Sequence, residues 1–440
     1  MVSSKMNISE HIMRKVRRLF HLVHGEKVLR LCCDLRTSRK VSTIIVNYER
    51  VLSRIRAKVS SGDKLRVMFY VSDPAKWKLQ TLYDKMASSE MFDPFVAVSV
   101  WGWHENRAGA ESAAQLTLKY FLDKNMNVEM AYSGELHRAL ALSNFIPDVV
   151  FYSQPWDIPA DQDPVVVSRF ALTCYVPYYT PNFDFGPADC TLPFHRTIYR
   201  YFIMNDKCVD ACECLRGSLS VAGNVVATGH PMLDSFSFND FGDVCSDGLI
   251  VYAPHWSFPH KDNPNNANIS TFLWTGRAML EYAKSHLDIK WVFKPHPVLK
   301  PMLVKSGVMD DAEVAEYYDE WGRIGECSFD GDYVDIFKRS RALITDCASF
   351  LTEYACTGKP VVRLVSPVAI PKSSKLNGDL YSTYYQVRSP EELEPMLDKI
   401  IIRREDPNRE ARLAAAKAMN LMGVDAAGNI VKHLENLIWG

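Results

Sequence analysis

The sequence predicts an α/β protein with two doubly wound domains, each built on a parallel sheet covered by helices. With 440 residues the chain is longer than one ordinary hydrophobic core requires, so two domains are expected. Short apolar runs alternate along it with amphipathic patterns of helical length, which is typical of βαβ units. This alternation restarts after a polar, glycine-containing stretch at 236–248, where we place the domain boundary.

The first domain is expected to span 63–236. Strands are predicted at 65–72, 95–100, 148–154 and 224–231, and helices at 74–89 and 111–124. The second domain is expected to span 237–378. Its strands are predicted at 249–254, 289–295, 325–329, 342–345 and 360–365, and its helices at 270–286, 310–321, 332–339 and 349–357. Residues 379–440 predict helices that pack back on the body of the protein.

The first 62 residues predict a basic, amphipathic helical segment. An apolar stripe recurs there at helical spacing, formed by Ile8, Ile12, Val16, Leu19, Phe20 and Val23. Residues 1–66 carry sixteen Lys and Arg against five Asp and Glu, although the whole chain has a net charge of -1. Such a segment either lies on an anionic membrane surface or docks on the protein itself with its charges in solvent.

The expected location is cytoplasmic, peripheral at the inner face of the cell membrane through residues 1–62. No apolar run reaches 18 residues, and the basic cluster at 14–18 interrupts any signal-peptide core. Eleven cysteines without regular spacing indicate reduced thiols. Cys208, Cys212 and Cys214 match no standard zinc-ligand spacing, so no metal is expected.

Polar clusters follow three predicted strands of the second domain. They are Pro254-His255, the run Lys294-Pro295-His296-Pro297, and Thr345-Asp346-Cys347-Ala348-Ser349. Because the carboxyl ends of parallel strands meet at one edge of the sheet, we expect these side chains to share one site. The residues expected to bind a nucleotide or its phosphates there are Pro254, Lys294, His296, Thr345, Asp346, Ala348, Ser349 and Glu353.

Phosphate binding is the chemistry that best fits this edge. A helix beginning near Ser349 has unsatisfied N–H groups, and the small side chains of Ala348 and Ser349 let an anion approach. Ser349 is alternatively an N-cap with Glu353 as its partner. His296 is suited to donate a hydrogen bond to the same phosphate or to protonate a leaving phosphate, and Lys294 adds positive charge.

Five blocks of the sequence carry a family resemblance. They are TGHPMLD (228–234), VYAPHW (251–256), STFL (270–273), FKPHPVL (293–299) and the run 331–362. In this order they resemble the CDP-glycerol glycerophosphotransferase family, which makes teichoic acids and related capsules, and the resemblance covers roughly 145–365.

The resemblance implies a GT-B arrangement, with an acceptor-binding first half, a nucleotide-binding second half and no metal cofactor. It implies that His296 and Ser349 contact the donor diphosphate, while Thr345 and Asp346 shape the turn. Glu353 would then lie near the ribose or the mouth of the helix.

One motif of that family has no counterpart here. A His-Gly pair in the family's first domain, whose His is thought to be the catalytic base, is missing from the corresponding stretch at 172–186. Tyr175, Tyr178 and Tyr179 are expected at that strand end, where they either pack or, in the case of Tyr178, line the acceptor site. The sequence leaves the base open among Asp157, Asp184, His195 and His255.

These observations predict a transferase that moves glycerol- or ribitol-phosphate from a CDP-activated donor to a glycan or polyol-phosphate acceptor in cell-surface polymer synthesis. The alternative is a GT-B glycosyltransferase using a CMP- or UDP-activated sugar, because the same motifs suit a nucleotide-sugar phosphate. A third possibility is a nucleotide-binding module without catalysis. The expected partners are the CDP-activated donor, a lipid-linked or oligosaccharide acceptor and the anionic membrane, but no nucleic acid.

Overall fold

Two parallel sheets with helices packed around them form the protein, as the sequence predicts. The computed structural model describes residues 25–100, 107–180, 187–216, 220–221, 223–236, 248–260, 268–329, 333–368 and 378–439. Side chains are described from Val41 onward.

Among the described residues the first sheet has seven strands, all paired in parallel. Its strands are β1 (Leu65–Val71), β2 (Phe92–Val98), β3 (Val128–Met130), β6 (Val149–Tyr152), β7 (Leu172–Tyr175), β8 (Arg200–Ile203) and β9 (Val225–Ala227). Two further strands, β4 (Tyr132–Ser133) and β5 (Arg138–Ala139), form a small antiparallel hairpin of their own. The helices of this half are α1 (Gly25–Ser60), α2 (Gln80–Ala87), α3 (Arg107–Asp123), α4 (Pro164–Val167), α5 (Pro187–Cys190), α6 (Pro193–Thr197) and α7 (Asp206–Arg216).

In the part of the chain that the structure describes, the second sheet has six strands, also all parallel. They are β10 (Leu249–Ala253), β11 (Trp291–Phe293), β12 (Glu326–Cys327), β13 (Ser340–Thr345), β14 (Val361–Leu364) and β15 (Tyr385–Val387). The helices from here on are α8 (Phe272–Ser285), α9 (Leu299–Lys305), α10 (Asp311–Ile324), α11 (Val334–Arg339), α12 (Ala348–Glu353), α13 (Gly378–Ser382), α14 (Pro390–Leu397), α15 (Arg409–Ala418) and α16 (Ala426–Trp439).

Both sheets reverse their strand order at one point. The first runs β3-β2-β1-β6-β7-β8-β9, and the second runs β12-β11-β10-β13-β14-β15. The reversals therefore lie between β1 and β6 and between β10 and β13. In doubly wound sheets a crevice opens beyond the carboxyl ends of the strands at such a point, and ligands bind there.

Three parts of the fold differ from the sequence prediction. Residues 379–440, predicted as helices, include strand β15, Tyr385–Val387, at the edge of the second sheet. Strands β3 and β8 were not predicted, because each presents only three or four residues and their apolar pattern is short. The predicted helix 74–89 is a 3₁₀ turn, Pro74–Lys76, followed by a separate helix from Gln80. The predicted domain boundary at 236–248 lies almost wholly outside the described residues, so the domain limits stay a prediction.

The described side chains of α1 dock on the first sheet. Val41, Ile44, Tyr48, Val51 and Ile55 recur at helical spacing and are nearly or fully buried. They belong to one hydrophobic core with the strands of the first sheet and with Ile430, Leu434 and Ile438 of α16. This part of the amino-terminal segment is therefore integral to the core, and contact of residues 1–62 with a membrane stays a prediction.

In the described part of the chain, no helix is both long and apolar enough to cross a membrane. Cys208 and Cys212 are buried on α7 while Cys214 is exposed, and all three are free thiols. No group of three potential metal ligands comes together among the described residues.

Docking of α1 makes a quantitative prediction. Ile55 is fully buried, so Ile55→Ala should lower the free energy of unfolding by about 2–5 kcal/mol through lost burial and a cavity. Val46 on the same helix is 54% exposed, and Val46→Ala should change it by less than about 0.5 kcal/mol. Denaturant unfolding of the full chain compares them, and equal effects of the two substitutions would contradict the docking.

Candidate functional site

A cavity of about 390 Å³ lies between the carboxyl-terminal edges of the two sheets. We call it the interdomain cavity. Residues from the first sheet's edge lining it are Asp73, Ala75, Lys76, Lys78, Tyr178 and Tyr179, and those from the second half are Ala253, Pro254, Lys294, Pro295, His296, Pro297, Val298, Tyr333, Cys347, Ser349, Phe350 and Glu353. Its volume is in the range of small-molecule sites.

His296 is held with one ring nitrogen free to donate. Its backbone N–H donates to the Pro254 carbonyl at 3.0 Å, and its Nδ1 accepts from the Val298 N–H at 3.1 Å. This bond places the proton of the neutral ring on Nε2. Burial lowers the pKa of His296 to about 4, so the ring is neutral near pH 7. His296 is therefore equipped to donate a hydrogen bond rather than to carry a permanent charge.

His255 supports His296 and does not line the cavity. Its ring lies 5.0 Å from the His296 ring, edge to face, and its Nδ1 accepts from the Ser257 N–H at 3.1 Å. Burial, and then the neighbouring His296, lower its pKa to about 3. The predicted catalytic role of His255 therefore has no support in its placement, because its ring packs beside the His296 ring.

Thr345 and Asp346 also do not line the cavity, contrary to their predicted contact with phosphate. The Thr345 hydroxyl donates to the Ala253 carbonyl at 2.6 Å and accepts from the Cys347 N–H at 2.9 Å. Both side chains are buried and bind the backbone of neighbouring loops. They hold the ends of β10 and β13 together, which agrees with the predicted role in shaping the turn.

The start of α12 differs from the predicted cap. Cys347 is the N-cap and makes no side-chain capping bond, while Ala348 and Ser349 are the first two helical residues. Ser349 lines the cavity, whereas Ala348 does not. The alternative that Ser349 is merely an N-cap is therefore wrong.

Glu353 joins the second half of the chain to the first. It is 2% exposed and accepts a hydrogen bond from the Tyr333 hydroxyl. The Lys78 ammonium, from the first sheet's edge, lies 4.3 Å from the centre of the Tyr333 ring. Burial raises the pKa of Glu353 to about 6, while the charge of Lys78 opposes that rise. Glu353 thus anchors Tyr333 and does not cap α12.

Three lysines give the cavity a positive potential. Lys294 is 5% exposed and its ammonium donates to the Ser328 hydroxyl at 3.2 Å. Lys76 donates to the Gln154 side chain at 2.6 Å, and burial lowers its pKa. Together with Lys78 these groups outnumber Asp73 and Glu353, the two carboxylates among the described lining residues. The cavity therefore favours an anion.

The sequence predictions missed the contribution of the loop after β1. Asp73, Lys76 and Lys78 lie in SDPAKWK, directly behind the buried strand LRVMFYV. The Asp73 carboxylate accepts from the Ala75 N–H at 2.9 Å and begins the 3₁₀ turn that places these lysines. The rule applied to the second domain, that polar residues after a strand face the crevice, would have identified them.

The predicted residues of the first domain divide into three groups. Tyr178 lines the cavity, and Tyr179 lines it while donating to the Asp189 carboxylate at 2.9 Å. Tyr175 and His195 are fully buried in the aromatic core instead, with His195 stacked 5.6 Å from the Tyr201 ring. Asp157 is exposed and does not line the cavity, and Asp184 lies outside the described residues.

Comparison with known proteins identifies the fold. No family model matches the sequence, and no curated protein matches it significantly. The structure is similar to UDP-GlcNAc 2-epimerase from Neisseria meningitidis bound to UDP-GlcNAc, at 12% identity and a TM-score of 0.52 over 85% of this chain and 100% of that one. It is also similar to the UDP-N-acetylglucosamine 2-epimerase of Rickettsia bellii, at 13% identity and a TM-score of 0.50 over 85% and 97%.

A further UDP-N-acetylglucosamine 2-epimerase gives a TM-score of 0.53 at 13% identity, over 84% of this chain and 95% of that one. At these identities the likeness shows the fold alone. The predicted fold class, a GT-B-like pair of doubly wound halves, is confirmed. The resemblance to the CDP-glycerol family stays a prediction.

The buried Glu353 carboxyl makes stability depend on pH. Because its pKa is raised from 4.5 to about 6, the folded state favours the protonated form, and the associated stability is lost as pH rises through 6. Glu353→Gln cannot ionise but still accepts from Tyr333. Its stability relative to the natural protein should therefore increase by about 2 kcal/mol between pH 4.5 and pH 8.

Unfolding by denaturant at both pH values measures this difference. Glu316→Gln on the exposed face of α10 is the control for replacing a glutamate with glutamine. If Glu353→Gln behaved like this control, the buried ionisation would be refuted.

Proposed function

We propose that this chain is a transferase whose donor is a nucleotide-activated sugar or polyol, with the donor diphosphate bound in the interdomain cavity. The proposal rests on one observation: four groups that can bind an anion line the same cavity between the two sheets. They are Lys76, Lys78, Lys294 and the neutral His296. Two phosphates supply the negative charge and the acceptor oxygens that these groups require.

A nucleotide-activated sugar is the donor that the structural likeness favours, because the similar structures are UDP-GlcNAc 2-epimerases. In such a transfer an acceptor hydroxyl attacks the anomeric carbon. The bond from that carbon to the phosphate oxygen breaks, and the nucleotide leaves with the electron pair. The lysines and His296 stabilise the charge on the leaving phosphate.

Transfer of a polyol phosphate from a CDP-activated donor is the second candidate. It is supported by FKPHPVL and by the block 331–362, whose residues His296 and Ser349 both line the cavity. Here the acceptor hydroxyl attacks the β-phosphorus, the bond from that phosphorus to the bridging oxygen breaks, and CMP leaves. The lysines and His296 again stabilise the charge, which here forms on CMP.

Either reaction needs a group that takes the proton of the acceptor hydroxyl, and we assign this role to Asp73. It lines the cavity from the first sheet's edge. One oxygen of its carboxylate accepts from the Ala75 N–H, which fixes the side chain and leaves the other oxygen for the acceptor.

Removal of the His296 ring should abolish most of the turnover. A donor panel of CDP-glycerol, CDP-ribitol, a CMP-sugar and UDP-sugars, offered with an oligosaccharide or polyol-phosphate acceptor, identifies the reaction by the nucleotide released. His296→Asn should lower the rate by about 100-fold or more, because it removes the ring N–H that stabilises the charge developing on the leaving phosphate. His137→Asn, at a side chain 63% exposed, should leave it unchanged. Near-normal turnover of His296→Asn, or binding without release from any donor, would refute the proposal.

Loss of the Asp73 charge should act on the chemical step. Asp73→Asn keeps the bond to the Ala75 N–H but cannot take a proton, so kcat should fall by about 100-fold or more with KM nearly unchanged. Asp163 is a matched control because it likewise precedes a proline and accepts from the N–H two residues on, at 2.8 Å. Asp163→Asn should retain activity, and an unchanged kcat for Asp73→Asn would exclude Asp73 as the base.

A further inference from the structure

A second cavity adjoins the interdomain cavity and shares the wall formed by Lys78 and Tyr333. It has a volume of about 200 Å³, and we call it the small cavity. The loop after β1, the end of α3, the 3₁₀ turn Pro231–Ser235 and the start of α11 surround it, so it also lies between the two halves of the chain. Lys78 and Tyr333 line both spaces, whereas Lys124 lines the small cavity alone.

The small cavity carries positive charge. Lys78 contributes a half-buried ammonium group, and Lys124, directly after α3, contributes an exposed one. No carboxylate belongs to the described residues that line the cavity. Ser235 adds a half-buried hydroxyl that can donate a hydrogen bond. Two ammonium groups and a hydroxyl without an opposing carboxylate favour an anion.

Both ammonium groups lie close to aromatic rings of the cavity wall. The Lys78 ammonium is 4.3 Å from the centre of the Tyr333 ring, and the Lys124 ammonium is 5.0 Å from the centre of the Tyr120 ring. The ring faces attract these cations and so hold them at the cavity. Because aromatic walls also exclude water, each charge attracts an anion more strongly there than it would in bulk solvent.

The size of the small cavity limits the ligand to a small anion. Sites for drug-sized ligands span about 300–1,000 Å³, so this space is too small for a nucleotide. Inorganic phosphate or a small phosphate monoester supplies the negative charge and acceptor oxygens that suit Lys78, Lys124 and Ser235. Trp77, which is 7% exposed, offers apolar ring surface to the short carbon chain of an ester.

Occupation of the small cavity opposes binding of an anion in the interdomain cavity. Because Lys78 lines both spaces, a phosphate in the small cavity offsets part of the charge that a donor diphosphate would meet. The two anions also repel each other across Tyr333. Coupling of this kind is reciprocal, so each ligand weakens the affinity for the other by the same factor.

We propose that the small cavity is a regulatory site that binds inorganic phosphate or a small phosphate monoester, and that this binding weakens the affinity for the donor. Binding of the anion goes beyond the proposed function, whereas the effect on the donor rests on it. The protein would then respond to the phosphate concentration around it, a property that neither candidate reaction requires.

Calorimetric titration of the full chain with CDP or UDP, at rising inorganic phosphate or glycerol 3-phosphate and constant ionic strength, tests the inference. The nucleotide Kd should rise at least about 5-fold and then level off, because coupling between two sites has a limit. Lys124→Gln should raise the anion concentration at the midpoint of this rise by about 10-fold, since a charged hydrogen-bond donor is lost. The nucleotide Kd without anion should stay the same in this variant.

Lys290→Gln is the matched control. Lys290 is exposed and directly precedes β11, so it lies at the amino-terminal edge of the second sheet, away from both cavities. This variant should change neither the nucleotide Kd nor the midpoint. A lower midpoint for glycerol 3-phosphate than for phosphate supports an ester as the ligand, and the reverse order supports the free ion.

Direct competition in the interdomain cavity would give a different result. The nucleotide Kd would rise without limit as phosphate increases, and Lys124→Gln would not shift the curve. Either observation, or a nucleotide Kd that neither anion changes, overturns the inference while the proposed function stands.

Failure of both nucleotides to bind would refute the proposed function instead. Titration with phosphate alone then tests the anion site. A weaker phosphate affinity in Lys124→Gln would support the site, and an unchanged affinity would overturn it.

Discussion

The buried carboxylate of Asp346 is the contact on which the geometry of the second sheet's crevice depends. One oxygen accepts from the His255 N–H at 2.6 Å, and the other accepts from the N–H and the hydroxyl of Thr271 at 2.6 and 2.9 Å. It thereby ties β13 to the loop after β10 and to the start of α8. Burial raises its pKa to about 6, and these three donors oppose that rise and offset the cost of burying the charge.

The position of His296 follows from this tie. Asp346 fixes the backbone at His255, the His255 ring packs against the His296 ring, and the Pro254 carbonyl next to it accepts the His296 N–H. Because its ring is held in this way, His296 loses little conformational freedom when it donates a hydrogen bond to a phosphate. The Asp346 carboxylate would itself repel a phosphate. Its contribution to phosphate binding is therefore indirect, because it positions the neutral ring of His296.

The sequence predicted the two-sheet fold, because buried parallel strands and amphipathic helices leave strong local patterns, as in LRVMFYV of β1. It also predicted that His296, Ser349 and Lys294 meet at one edge, since that follows from parallel strand ends. It could not show which polar side chains turn back to bind a neighbouring loop, so Thr345 and Asp346 were assigned to the ligand. It also could not show that Lys78 reaches Tyr333, because that contact joins distant parts of the chain.

His296 on the second sheet's edge lies across the interdomain cavity from Asp73 and Tyr178 of the first sheet's edge. If the diphosphate of the proposed donor binds at His296, the transferred group points toward Asp73 and Tyr178. The two candidate reactions then differ in where the bond breaks. In polyol phosphate transfer it breaks between the two phosphates, so the new charge forms on the nucleoside phosphate beside His296. In sugar transfer it breaks two bonds further on, between the β-phosphate oxygen and the anomeric carbon, and both phosphates stay together in the cavity. The distribution of the lysines over both edges suits either charge, so the choice between the reactions depends on which atom the acceptor hydroxyl reaches from the side of Asp73.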